Sequence, residues 1–396
     1  MKVAIVSTIQ PETHYTRYLY RELKKILPKI YLLIDKTKEN FVYKKESSDE
    51  NIKLSWNTGF TLPVSIMKAV NKVDVNIVHL QHEFNMYGGI NGVPGFLFSC
   101  LLLKLNGKKI IVTIHAVVGR DQINLDFLKT MALSKFEVIL PLIKLSFSLF
   151  YFLIGKIADG FIVHSNFSKN QLVNDYRFDS KKVSVIPIGI EKPNLAKSSG
   201  IRRDLLLKVE DKKYLLFFGY LLRRKGLDLL IKAFFQISKK HGDYVLVLGG
   251  GTLENQKDYQ QSLVVLVKKL KLEKKVIFTD FLSEAEIDYL YKNCKCVVLP
   301  YTHSISSSLP LSFAFEYGKP VVGSDIGTLA EEIKDEDNGL IFKSESLADL
   351  SKQILRVIEN KTLFEKLTSG AIKEAKIRSW KSVAETTKKL YLSLNA

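Results

Sequence analysis

The sequence predicts an α/β protein made of two doubly wound domains in tandem. Three observations carry this. Short apolar runs of strand length alternate with helical patterns along most of the chain, which argues for parallel sheets with helices on both faces. The rhythm breaks once, over the polar segment Glu191–Lys213. That segment holds Pro193, Ser198, Ser199 and Gly200, and its start reads as a linker. The chain is 396 residues long, enough for each half to bury its own core. In such folds ligands sit beyond the C-terminal ends of the strands. Two tandem sheets would therefore place a substrate cleft between the domains.

Residues 2–7 read as a first, fully buried strand. A loop over 8–13 follows, then a helix from about His14 to Leu27. Residues 36–62 are polar and read as irregular. NIVHL (76–80) is another buried strand, ending in Gln81-His82-Glu83. A glycine-rich loop (87–95) leads to an apolar helix over 96–105. KIIVTI (109–114) is a strand ending at His115. GFIVH (160–164) is a strand, followed by Ser165-x-x-Ser168 at a helix start, and residues 183–186 form a further strand before Pro187 and Gly189.

The alternation restarts after the linker. Strands are expected over 214–218, 244–248, 276–279, 296–299, 321–324 and 340–342, with helices between them. One helix, over 283–293, opens with a capping box of Ser283 and Glu286. The chain closes in helical patterns at about 361–377 and 382–394.

Bulk composition narrows the function classes. The chain is 46% apolar and 25% charged without low-complexity runs, which excludes a disordered segment. The net charge of +18 points to anionic partners: phosphates, nucleic acid or a membrane surface. No recognisable nucleic-acid module is present, so no nucleic-acid partner is expected. Three cysteines, Cys100, Cys294 and Cys296, make no disulfide framework and fit a reducing compartment. Cys294 and Cys296 read as core residues at a strand entry. Met1-Lys2 leads straight into VAIVS, so the N-terminus is not read as a signal peptide, and a cytoplasmic protein is expected.

The most hydrophobic stretch is 133–154. Lys135, Glu137, Pro141 and Lys144 interrupt it, and its longest uncharged part is read as too short to span a bilayer. Two readings stand. It is a buried core helix, or a helix lying in a membrane interface with Phe147, Leu149, Phe150, Phe152 and Leu153 inserted. The second would put the protein at the inner face of the cell membrane.

The stretch FFGYLLRRKGLDLLIKAF (217–234) carries the most chemistry. A strand ends at Gly219, a basic turn holds Arg223, Arg224 and Lys225, and Gly226 opens a helix with Leu230, Ala233, Phe234 and Ile237 on its apolar face. A helix N-terminus has unpaired N–H groups and the positive end of the macrodipole, so it favours an anion. Several cations beside it point to a diphosphate.

With VHLQHEF (78–84), TIH (113–115), ADGFIVHSNFSKNQL and KKVSVIPIGIE (within 158–191), LVLGGGTLE (246–254), VIFTDFLSEAEIDYLYKNCKCVVLPY (276–301) and YGKPVVGSDIGTLAEEI (317–333), the chain resembles the family 4 retaining glycosyltransferases of the two-domain GT-B fold. The resemblance implies two Rossmann-like domains. Residues 1–191 would form the acceptor side, 192–212 a linker, 213–375 the nucleotide-sugar side, and 376–396 a helix packing back on the first domain. It implies transfer of a hexose from a nucleotide diphosphate sugar to the hydroxyl of a glycan or lipid-linked acceptor, with retention. No cofactor and no divalent metal are implied, and the chain is read as having no Asp-x-Asp motif to hold one.

By the same resemblance Lys225, with Arg223 or Arg224, would grip the donor diphosphate beside Gly219. Gly250 and Gly251 match a turn close to the nucleotide, and Thr279, Phe281 and Leu282 the part that holds the base. His115 matches a histidine beside the transferred sugar; with Lys225 it is the catalytic expectation. His14, His82 and Glu83 fall on the acceptor side. The chain also departs from the family. Its Glu-x7-Glu positions are Ile305 and Phe313 here. A serine-rich turn replaces the first, where Ser307, Ser308 and the Leu309 N–H would hold a phosphate. Glu316 either substitutes for the ribose carboxylate or faces solvent. The usual glycine loop after the first strand is replaced by Gln10-Pro11-Glu12-Thr13-His14. Two alternatives remain: a nucleotide-sugar epimerase on the same fold, and a non-catalytic partner subunit.

Overall fold

The computed structural model describes residues 1–8, 15–37, 40, 44–45, 47–84, 86–130, 138–190, 200–252, 256–303 and 307–395. The chain divides into two compact units. The first holds Met1–Gly189, Ile305–Ser307 and Trp380–Ala396, the second Ile190–Ser304 and Ser308–Ser379.

The first unit is built on seven parallel strands: β1 Val3–Ser7, β2 Ile30–Asp35, β3 Ile52–Trp56, β4 Ile77–His82, β5 Lys109–Ile114, β6 Gly160–Val163 and β7 Val183–Val185. Their order is β3-β2-β1-β4-β5-β6-β7. Strand β1 is buried throughout and pairs with β2 from Val3↔Ile30 and with β4 from Val3↔Ile77. Covered on both faces, it reads as an uninterrupted apolar run. The expectation that 36–62 is irregular is corrected, because β3 lies inside it. This edge strand buries only Ile52 and Trp56, so its sequence, IKLSW, carries little apolar signal. Trp56 Nε1 donates to Leu33 O at 3.1 Å and pins it to β2. The helix Leu62–Val73 also went unread; Pro63 stands in its first turn, where a missing N–H costs nothing.

The last helix, Trp380–Asn395, belongs to this unit. Trp380 packs its ring against Tyr15 and Tyr18. A Cβ on Gly189 would come within 2.3 Å of that indole, so the chain passes there as glycine.

The second unit holds six parallel strands: β8 Lys213–Phe218, β9 Tyr244–Gly249, β10 Val276–Phe278, β11 Cys296–Leu299, β12 Val321–Ser324 and β13 Gly339–Phe342, in the order β10-β9-β8-β11-β12-β13. The helix Leu227–Lys240 buries Leu230, Ala233, Phe234 and Ile237, the stripe its spacing predicts. Ser283 caps Glu284–Asn293 with both bonds of the capping box formed. Cys294 and Cys296 are buried free thiols in this core, as is Cys100 in the first.

Candidate functional site

The strand order of the second sheet reverses between β8 and β11. Loops leaving the C-terminal ends of such a pair diverge, and the crevice between them is where doubly wound sheets take ligands. The chain leaves β8 at Gly219 with φ 131° and passes Gly250, after β9, with φ 121°. Gly219 N–H donates to Gly249 O at 2.9 Å, and Leu221 N–H to Gly251 O at 3.1 Å. A Cβ on Gly250 would sit 2.3 Å from Gly219 O, so the two turns close only around glycine.

The basic residues Arg223–Lys225 form one 3-10 turn, ended by Gly226 at φ 63°. Thr302 N–H donates to Arg224 O at 2.9 Å, which ties this turn to the end of β11. Lys225 Nζ stands 3.3 Å from the Tyr301 ring centroid, and the Arg223 guanidinium 5.0 Å from that of Tyr259. Burial, and then the neighbouring Arg224 guanidinium, pull the Lys225 ammonium well below its ordinary pKa. An anion in contact would reverse that penalty, because it supplies the opposite charge the site lacks.

Tyr301 links this cation to the next helix. Its hydroxyl lies 3.1 Å from Ser308 Oγ, which caps Leu309–Glu316 and accepts from Leu311 N–H at 3.4 Å. Leu309 opens that helix, where N–H groups lack intrahelical partners. Ser307 Oγ is buried and has no partner among the described residues. Sequence reasoning missed Tyr301, although it directly follows the strand-end Pro300.

Beyond β9, a Cβ on Gly251 would meet the Phe281 ring at 2.4 Å. Phe281 is exposed and stands edge-on to exposed Tyr220, centroids 6.1 Å apart. Thr279 Oγ1 accepts from Gly250 N–H at 3.1 Å. Arg202 braces this segment, donating to Thr279 O at 2.9 Å and to Glu286 at 2.6 Å. Leu282 is half-buried beside Gly249. Phe313, at a family carboxylate position, is buried against Phe218 and Tyr291. Ile305 lies outside the described residues. Glu316 ends the helix that Leu309 opens, roughly 10 Å along its axis.

An Asp-x-Asp triplet does occur, at Asp335–Asp337. It lies in the turn entering β13, at the N-terminal edge of the sheet, away from the strand ends that carry the glycine turns. Asp335 accepts from Ile341 N–H at 2.9 Å, and Glu336 is paired with Arg356.

In the first unit His115 follows β5 and is half-buried. Its ring belongs to a chain of hydrogen bonds. His164 Nδ1 lies 2.9 Å from Ile186 O, which can only accept, so this nitrogen donates. Neutral His164 then accepts at Nε2 from His115 Nδ1–H, 3.0 Å away. His115 Nε2 is 3.0 Å from Gln81 Oε1, and Gln81 Nε2 is 3.0 Å from His79 Nε2. His79 continues to Thr113 and Tyr391 hydroxyls at 2.6 Å each. As placed, Gln81 Oε1 accepts a hydrogen bond from His115 Nε2–H; with the amide turned over, Gln81 Nε2–H would donate to His115 Nε2. The proton on His115 Nε2 is thus coupled to the Gln81 amide. Tyr15 covers both histidine rings at 4.9 and 5.0 Å. His164 and Gln81 were missed, though both stand at strand ends like His115.

His82 is corrected. Side chains alternate along β4, so it faces away from His79 and Gln81. It is buried among Phe84, Phe96 and Phe150, and burial holds its pKa down at about 3. It is a core residue and does not reach the His115 face. Glu83 is exposed at the strand end. His14 lies outside the described residues.

Comparison with known proteins agrees with this geometry. Residues 201–376 match the model for glycosyl transferases group 1, and residues 49–192 that for glycosyltransferase family 4. An uncharacterized glycosyltransferase of Methanocaldococcus jannaschii is 28% identical over 236 residues, covering 56% of this chain and 57% of its own. A D-inositol 3-phosphate glycosyltransferase of Nocardioides is 26% identical over 248 residues, covering 59% and 53%. The match thus spans about half the length of these curated relatives. In fold, Anabaena HepE in complex with UDP superposes with a TM-score of 0.75 at 17% identity, covering 99% of this chain and 100% of that one. WaaG, a glycosyltransferase involved in lipopolysaccharide biosynthesis, gives 0.64 at 15% identity over 98% and 99%. By its two matched family models and by the fold of both its units, the chain belongs to the family 4 glycosyltransferases of GT-B fold.

Proposed function

We propose that the protein transfers a hexose from a nucleotide diphosphate sugar to an acceptor hydroxyl, with retention and without a divalent metal. The observation that carries this is the Gly219–Gly226 turn. It holds a half-buried Lys225, its pKa drawn down by burial and by Arg224, against Tyr301 at the strand-order reversal of the second sheet. A departing diphosphate develops negative charge, and Lys225, Arg223 or Arg224, and the Leu309 helix end would stabilise it. The bond from the sugar C1 to the phosphate oxygen breaks while the acceptor oxygen bonds to C1 on the same face. The acceptor proton passes to the departing phosphate. His115 would contact the sugar from the first unit. HepE has been seen with UDP and with UDP-glucose, so UDP-glucose is the first donor to try.

The test is UDP release from UDP-glucose and other nucleotide sugars with candidate glycan and lipid-linked acceptors, in EDTA, with the product anomer read by NMR. The reading expects release undiminished by EDTA, an anomer matching the donor, and a fall of about 10²-fold or more in Lys225→Ala. A specific observation favours one second reading. Phe313 fills a family carboxylate position with a packed ring, as a non-catalytic partner subunit would tolerate. Tight nucleotide binding without any release would establish that reading instead.

A further inference from the structure

We propose that the first unit docks on an anionic bilayer through the outer face of the helix Leu140–Ile157 and the cationic groove beside it. This helix is 18 residues long with mean hydropathy 1.6, and only 17% of it is buried. By length and composition it could cross a membrane, which corrects the expectation that the stretch is too short. It also corrects the expectation of a buried core helix. Phe150, Tyr151 and Ile154 face the core, with Phe147 turned inward on Phe84. The opposite stripe, Leu142, Leu145, Leu149, Phe152 and Leu153, is exposed; Leu145 stands 62% open and Phe152 55%. A helix with apolar residues on both its faces is a buried or membrane-contacting helix, and among the described residues of the first unit none buries this side. It does not span. The strands on either side of it in sequence, β5 and β6, are paired neighbours, and its inner face is fixed to the core.

The neighbouring helix Val93–Leu105 packs alongside and continues the patch with exposed Phe98, Leu101 and Leu105. Neither helix contains an Asp or Glu. On the other flank, Phe152 borders a groove of about 760 Å³ lined by Arg120, Lys156, Arg177 and Lys182. Among the described residues none of these four cations has a carboxylate ion-pair partner. Asp179, the acid in the lining, accepts from Lys181 N–H. Apolar side chains beside unpaired cations match the acyl boundary and phosphate headgroups of an anionic membrane. A second copy of the chain fits poorly. Face to face it would bring the same four cations against only one acid of the groove lining, Asp179, on a chain of net charge +18.

The full chain is floated with phosphatidylcholine vesicles, with and without phosphatidylglycerol. Phe152→Trp supplies a reporter, because Trp56 and Trp380 are buried. The proposal expects binding to the anionic vesicles, a blue shift of the new indole, and weakening at high salt. Leu145→Glu with Leu149→Glu should lower partitioning more than about 10-fold, and Lys156→Gln or Arg177→Gln about 5-fold each. Thermal unfolding and nucleotide binding should stay as in the parent chain. If the Glu pair fails to fold, Leu145→Ser with Leu149→Ser replaces it. Equal binding to neutral vesicles, unchanged binding by the variants, or a dimer by light scattering that the Glu pair dissolves would each overturn the proposal.

Discussion

The His115 ring makes two hydrogen bonds in the first unit, to His164 and to Gln81, and each bears on a different proton. His164 has its tautomer set by Ile186 O, so it orients His115 without needing to touch a substrate. His164→Phe should lower kcat about 10-fold, the scale of one lost hydrogen bond at a charged or polarised group. The donor KM and nucleotide stabilisation should hold, since the turn proposed to hold the donor lies in the other unit. A loss of nucleotide stabilisation would place His164 elsewhere in the scheme. Two further histidines carry a pH dependence. Burial holds His79 and His82 at pKa values of about 3, below the ordinary 6.5 of an unfolded chain. Between these values the unfolded state binds more protons than the folded one. Stability is therefore complete above about pH 6.5 and falls as pH drops towards about 3, by up to about 1.4 kcal/mol per pH unit for each group. Urea midpoints at about pH 7 and about pH 5 should separate less in His82→Phe than in the parent.

At the scale of elements, the Gly219–Gly226 turn depends on its glycines. Gly226 sits at φ 63°, and a Cβ there would fall 2.0 Å from Pro300 O. Gly226→Ala should destabilise the chain by more than about 1 kcal/mol and weaken nucleotide binding with it. Urea unfolding and nucleotide titration check both. The same turn was legible in the sequence because strand, glycines, cations and helix fall in one short stretch. The central strands were legible because burial on both faces leaves continuous apolar runs. Strand β3 was not, since an edge strand with two buried residues looks like a loop. The helix Leu140–Ile157 was legible as a helix, but its apolar residues go all the way round. Periodicity then cannot say which side meets the core: the interfacial reading inserts Phe147 and Phe150 with the rest, whereas these two face in. His82 was read outward for a related reason: strand-end polarity suggests a site, while only the face of the strand decides it.

Across the whole molecule, each sheet reverses its strand order once near its middle. The chemistry-bearing residues collect at C-terminal strand ends: Gln81, His115 and His164 at β4, β5 and β6 in one unit, and the glycine turns with Lys225 after β8 and β9 in the other. The excess of positive charge is consistent with two anionic partners, a diphosphate and a bilayer. The central claim is that a nucleotide diphosphate binds the Gly219–Lys225 turn. The most direct measurement is thermal unfolding of the full chain with UDP, GDP and ADP, in parallel with Lys225→Ala and His115→Ala. At about 100 times its dissociation constant, one nucleotide should stabilise the parent by about 2.7 kcal/mol. The shift should vanish in Lys225→Ala and persist in His115→Ala. No shift with any nucleotide, or an equal shift in Lys225→Ala, would contradict the account.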